Sequence, residues 1–327
     1  MVRNKRLWCA AACVIGIWTL MGHVKSDNAL RAAGVSYERT QKWLQVPAGQ
    51  QFGTVSWVDV DQDGNIYVLR RTPLPGRTHP IRTFQNADPP GSIWTFDSTG
   101  KFVREWGKGM AIEGHGLRVD RNGFIWTTDV QGHQVKKFRR DGTLVMTLGK
   151  AEVPGNGPDT FNCPTDVLVA SNGDIFVTDG YGNQRVVKFN KDGKFLKTWG
   201  TKGNGPGQLR LPHAIVQDSR GRLIVADRCG LGETGCTDNR VQIFDTEGKF
   251  LEQWPDIKAT TVEIGPDDRL YAVTRAGIAI VDVNTGKVLE TIEKVGGHGI
   301  SVDRNGTLYT ASPGDADGVQ RYMRKQS

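Results

Sequence analysis

From about residue 52 onward, short apolar runs alternate with polar, glycine-bearing turns. The stretch "HGLRVDRNGFIWTTDVQGHQVKKFRRDGTLVMTLG" (115–149) shows the unit. Its runs are rich in β-branched and aromatic residues, and "RNG" and "DG" break them, so each unit predicts four short antiparallel strands. The same form returns at 165–200, 213–254 and 261–292. A first copy (56–107) carries a long loop in its middle, and a last copy (298–323) stops after about three strands. Six copies of roughly 35–45 residues fall in the period range of solenoids and propellers. Four strands per copy favour a ring, which leaves only short, protected edges. The pattern predicts an all-β, six-bladed β-propeller over residues 42–327. The short last copy needs a fourth strand, and "KWLQVP" (42–47) resembles the fourth-strand "KFLKTWG" closely enough to supply it and close the ring.

The first 26 residues read differently. "MVRNKR" is a basic start and "LWCAAACVIGIWTLMG" (7–22) an apolar run, followed by polar "HVKSDN", the form of a signal peptide. The apolar run is short for a membrane span of about 20 residues, so cleavage after Ser26 is favoured over an uncleaved anchor. Residues 27–41 are left as a leader segment. Export, to the periplasm or outside the cell, implies an oxidising compartment. There Cys229 and Cys236, which close the insertion "CGLGETGC", are expected to form a disulfide, and Cys163 is left single as a buried thiol.

Charge adds little. The formal net charge is +7. Arg3, Lys5 and Arg6 at one end, and Arg321, Arg324 and Lys325 at the other, supply nearly all of it. The body is close to neutral, which excludes a nucleic-acid groove. A monomer is expected.

Counting back eight positions from each turn glycine, or its equivalent, gives Ser56, His115, Thr165, His213, Thr261 and His298. Hydroxyl and imidazole alternate around the ring. First strands line a propeller's channel, so three imidazoles on alternate blades would converge on the axis. Three nitrogens with an open fourth position make a catalytic zinc site. A single histidine there would be an ordinary hydrogen-bonded lining residue; three of the six histidines in the chain at equivalent slots argue for a metal. His133 lies in a mid-blade loop and reads as structural.

Four stretches resemble the peptidylglycine α-hydroxyglycine amidating lyase family: "HGLRVDRNGFIWTTDVQGHQVKKF", "PTDVLVASNGDIFVTDGYGNQRVVKF", "GQLRLPHAIVQDSRGRLIVADR" and "HGISVDRNGTLYTA". The similarity covers most of residues 52–322 and exceeds the general NHL-repeat pattern. It implies a six-bladed propeller with zinc on its axis, held by His115, His213 and His298. It also implies a catalytic Tyr181, with Arg71 and Arg228 at the active site. The implied reaction cleaves the C–N bond of a small-molecule or peptide substrate ending in α-hydroxyglycine, giving a primary amide and glyoxylate. Zinc would polarise the α-hydroxyl. Tyr181 would act as base, which requires a phenol pKa below the ordinary value of about 10. The arginines would supply a positive field and grip the substrate carboxylate. Read without the resemblance, Tyr181 is a phenol packed at the channel mouth and the arginines are blade-to-blade ion pairs.

The chain also departs from the family. Gly296 replaces a methionine, and Gly299 an aspartate that helps hold a structural calcium. Val58 and Leu117 match positions giving backbone carbonyls to that ion, but without the carboxylate calcium is doubtful. The implied alternatives are a metal-dependent propeller enzyme with another substrate, and a non-enzymatic NHL-type propeller that binds at its rim.

Overall fold

The turns form because their side chains stand in for missing backbone partners. Asp61, Asp120, Asp218 and Asp303 each accept hydrogen bonds through Oδ1 from the amides two and four residues on. Gly64, Gly123, Gly221 and Gly306 follow with φ between 77° and 83°, the left-handed region that glycine enters without strain. In the third copy Ala170 holds the turn through its backbone alone, and Gly173 has φ 90°. In the fifth copy Asp268 takes this place, at φ 55°.

The structure is a computed structural model that describes residues 29–32, 35–40, 42–71, 92–229, 239–313 and 318–325. Two strands precede the repeats, β1 (Ala29–Ala32) and β2 (Val35–Thr40). Blade 1 comprises β3 (Thr54–Val60), β4 (Ile66–Arg71), β5 (Ser92–Phe96) and β6 (Phe102–Trp106). Blade 2 is β7 (Gly114–Val119), β8 (Ile125–Asp129), β9 (Gln134–Phe138) and β10 (Leu144–Leu148). Blade 3 is β11 (Asp166–Val169), β12 (Ile175–Asp179), β13 (Arg185–Phe189) and β14 (Phe195–Trp199). Blade 4 is β15 (Pro212–Gln217), β16 (Leu223–Asp227), β17 (Arg240–Phe244) and β18 (Phe250–Trp254). Blade 5 is β19 (Thr261–Ile264), β20 (Arg269–Val273), β21 (Gly277–Asp282) and β22 (Lys287–Glu293). Blade 6 begins with β23 (Gly299–Val302), β24 (Leu308–Ala311) and β25 (Val319–Arg324).

Each blade is an antiparallel meander, and the innermost strands β3, β7, β11, β15, β19 and β23 neighbour one another in a closed circle. The all-β, six-bladed propeller is the fold. Apolar side chains of facing blades interdigitate between them. Trp126, Val167, Val177 and Phe189 fill the space between blades 2 and 3, and Phe176, Val186, Ile215 and Val225 that between blades 3 and 4.

An N-terminal strand completes blade 6, but not the one expected. β2 pairs antiparallel with β25, with Tyr37 opposite Arg324 and Arg39 opposite Tyr322, and β1 adds a fifth strand outside it. Residues 42–47 instead cross to blade 1, where Gln45 bridges Lys101. The physical reason is burial: Tyr37 is completely enclosed among Tyr271, Ile300, Leu308 and Tyr322. Trp43 and Leu44 pack with Phe96 and Tyr309. The closing strand thus falls inside the segment read from sequence as a leader.

Candidate metal centre

The six channel slots are confirmed with one shift. In blade 5 the turn residue with positive φ is Asp268, and eight positions before it stands Thr260 rather than Thr261. The Thr260 amide bonds to the Val273 carbonyl, as Thr165 does to Thr178 and His298 to Ala311. Both residues are threonines, so the alternation of hydroxyl and imidazole survives the slip.

Local backbone irregularity aims these side chains. The pairing of the two inner strands shifts register at Ser56 in blade 1, across His115 and Gly116 in blade 2, and at His213 in blade 4. Such bulges bend a strand and redirect a side chain. In blades 2, 3 and 4 the loop entering the innermost strand is fixed by a carboxylate. Asp129 accepts from the amides of Ile112 and Glu113, and Asp227 from those of Arg210 and Leu211, just ahead of His115 and His213. Asp179 accepts from Asn162 and is paired with Arg185, as Asp227 is with Arg240. These aspartates end "IWTTD", "IFVTD" and "LIVAD"; their recurrence was the sequence signal for a positioning role that the sequence reading did not use.

The structure brings His115, His213 and His298 together: one ring nitrogen from each lies within 4.8 Å of the others. Their ring centroids are 4.5–5.0 Å apart. His115 Nδ1 lies 2.7 Å from the Thr165 carbonyl oxygen, and His298 Nδ1 2.9 Å from that of Ser56. A carbonyl can only accept, so in both rings Nδ1 carries the proton and Nε2 keeps its lone pair. In each case the acceptor is the slot residue of the next blade. The Thr260 backbone stands against His213 in the same relation, although neither His213 nitrogen closes a hydrogen bond of ordinary length. Burial first, then the charge of Arg228 and the two neighbouring imidazoles, hold His213 well below the usual histidine range. A fully buried, neutral imidazole with an unsatisfied nitrogen facing two others suits a metal ion, which supplies the missing partner. The carbonyls that fix the other two rings are the outer-shell partners such ligands need.

Tyr181 belongs to the same cluster. Its hydroxyl donates to His115 Nε2 at 3.1 Å, and its ring meets those of His115 and His213 edge-on. Its amide is tied to the Cys163 carbonyl, and Cys163 in turn donates its amide to His133 Nδ1, which makes His133 a structural loop residue as expected. Arg228 stands near enough to His213 to depress its protonation, with its amide on the Leu211 carbonyl. Arg71 ends β4 opposite Thr54; its side chain lies outside the described residues. Val58 and Leu117 are fully buried on the inner strands. At Gly299 a Cβ would lie 2.8 Å from the Trp57 ring, so this chain fills the space where an aspartate would stand. Cys163 is fully buried, with its sulfur 3.5 Å from Asn162 Oδ1. Cys236 and the signal segment lie outside the described residues.

An NHL repeat family model matches residues 161–189. NHL repeat-containing protein 3 of Mus musculus is 30% identical over 268 residues, covering 73% of this chain and 74% of that protein. Peptidyl-alpha-hydroxyglycine alpha-amidating lyase 1 of Drosophila melanogaster is 36% identical over 225 residues, 62% of this chain but only 40% of the fly protein. Among solved structures, a gluconolactonase from Xanthomonas campestris superposes with a TM-score of 0.63 at 14% identity, covering 92% of this chain and 96% of that one, a likeness of fold. With its repeats, closed ring and histidine centre described, the chain belongs to the family of NHL-repeat β-propellers that these amidating lyases share with NHL repeat-containing protein 3.

Proposed function

We propose that the protein is an exported, zinc-dependent lyase that cleaves the C–N bond of α-hydroxyglycine amides, releasing a primary amide and glyoxylate. The observation that carries this reading is the gathering of three imidazole nitrogens within 4.8 Å beside a phenol hydroxyl. A relative named for this activity supports the substrate class. His115, His213 and His298 would hold the ion through the ring nitrogens that face one another. Zinc bound there would supply Lewis-acid polarisation of the substrate hydroxyl.

The remaining chemistry belongs to the chain. With His115 Nε2 committed to the ion, Tyr181 acts as the phenolate. Its Oη takes the substrate hydroxyl proton, the electrons of that O–H bond form the glyoxylate C=O as the C–N bond breaks, and Tyr181 passes the same proton to the departing amide nitrogen. Arg228, on the His213 side of the channel, pairs with the substrate carboxylate and fixes its orientation, with Arg71 as its partner from blade 1. Ring burial keeps water from competing for the site. Export brings with it a Cys229–Cys236 bridge and a monomeric chain that takes a small molecule or peptide end, not nucleic acid.

The test is to purify the exported chain, measure bound metal by mass spectrometry and assay glyoxylate release from an N-acyl-α-hydroxyglycine. One equivalent of zinc with glyoxylate release supports the reading. Zinc without glyoxylate from any such amide points to a different substrate, and a chain without metal overturns the enzyme.

A further inference from the structure

One layer from the histidines, the channel holds a charged cluster that no step above uses. Arg118, three residues after His115 on β7, is 11% exposed. Its Nε and Nη2 donate to both oxygens of Asp166 at 3.0 and 2.7 Å, and its Nη1 donates to Glu263. The guanidinium lies over the Trp57 ring, 5.0 Å from its centroid. Asp166 also accepts from the Ile215 amide at 3.1 Å. Asp59 accepts from the Val119 amide at 2.7 Å and from Ser301 Oγ at 2.6 Å. The contacts therefore run through all six inner strands, β3, β7, β11, β15, β19 and β23, one residue or pair from each.

Resting on the metal reading of the site, we propose that Arg118 is a positioning residue for the histidine centre: its guanidinium acts as a built-in cation that locks the six inner strands in one arrangement. The linkage to the imidazoles is short. Asp166 directly follows Thr165, whose carbonyl receives His115 Nδ1. Asp59 lies three residues after Ser56, whose carbonyl receives His298 Nδ1. Ile215 is two residues beyond His213, and Ser301 three beyond His298. Arginine suits the task because its planar fork grips a carboxylate bidentately while its remaining donors reach a second one. Lysine offers one point charge. Without the guanidinium, the mutually repelling carboxylates of Asp59, Asp166 and Glu263 lose the positive charge they share.

The experiment compares full-length wild type with Arg118→Ala and Arg118→Lys. The first readout is independent of metal: the downfield imidazole N–H proton resonances of His115 and His298 in chelator-treated protein. The second is Co2+ affinity by visible absorption. Wild type is expected to show both N–H signals and a thermal midpoint unmoved by millimolar Ca2+. In Arg118→Ala the signals are expected to broaden or vanish, Co2+ affinity to fall at least about tenfold, and millimolar Ca2+ or guanidinium to restore part of each loss. Arg118→Lys, which keeps the charge but not the fork, is expected to fold and to show the same losses in smaller measure. Wild-type imidazole signals in a folded Arg118→Ala, or in Arg118→Lys where alanine does not fold, overturn the proposal. Wild type that binds no Co2+ while its N–H signals still depend on Arg118 would instead count against the metal reading alone.

Discussion

Gly296 and Gly299 flank His298, and they differ in what a side chain would meet. A Cβ at Gly296 has nothing within 4 Å, whereas one at Gly299 lies 2.8 Å from Trp57. Gly299→Ala is therefore expected to cost about 1–3 kcal/mol as an overpacked substitution, and Gly296→Met less than about 0.5 kcal/mol. Thermal or denaturant unfolding of both variants checks this, and equal stabilities would show that Trp57 yields freely. The ligands themselves separate by role. His115→Ala, His213→Ala and His298→Ala should each lose bound metal and activity, because two imidazoles hold zinc far more weakly than three. Thr165→Ala, at a hydroxyl slot, should keep its metal, since what it offers His115 is a backbone carbonyl. Tyr181→Phe should keep metal and lose turnover. Full metal content in the three histidine variants would reduce the trio to a channel lining.

At the scale of elements, the closing strand decides whether the ring holds. A chain beginning at residue 42 lacks β2 and leaves the edge of β25 unpaired, so it is expected to associate or melt early. Tyr37→Ala in the longer chain should cost about 3–5 kcal/mol, the range for emptying a large aromatic site. Size-exclusion chromatography and unfolding curves test both; a stable monomer from residue 42 would show that β2 is dispensable. The repeats, the blade count and the three histidines were legible because each blade restates the same turn chemistry. The closing strand was not, because "KWLQVP" carries the fourth-strand pattern while what seats β2 is the tertiary burial of Tyr37. The slot at Thr260 is hidden for a different reason: with Asp268 in place of a turn glycine, the sequence carries no marker from which to count. The proposed Cys229–Cys236 bridge would close a short loop and add at most about 2–3 kcal/mol, so reduction should lower the melting temperature without releasing metal, and two free thiols found by mass spectrometry of the exported protein would rule it out.

For the whole molecule, the channel's charge balance sets a pH dependence that no single blade shows. Asp59, Asp166 and Glu263 outnumber Arg118 in one largely buried space. Burial, and then the neighbouring carboxylates working against the attraction of Arg118, push Glu263 from an ordinary 4.5 up to about 7. Asp59 is raised as well, again chiefly by burial. A folded-state pKa above the unfolded one means that the native protein holds a proton the unfolded chain has released. The stability it contributes is fully present below pH 4.5 and declines as pH rises toward about 7. His213 works in the opposite sense, since its depressed pKa removes stability as pH falls below the ordinary histidine value of 6.5. The two windows overlap, so wild-type unfolding alone would blur them. Glu263→Gln separates them: it leaves His213 in place and fixes the channel group as neutral at every pH. Relative to Glu263→Gln, wild type is therefore expected to lose stability from pH 5 to about pH 7, and to level off above it, in chelator-treated protein. Denaturant midpoints across that range measure the difference, and a flat difference would mean that Arg118 neutralises the carboxylates completely.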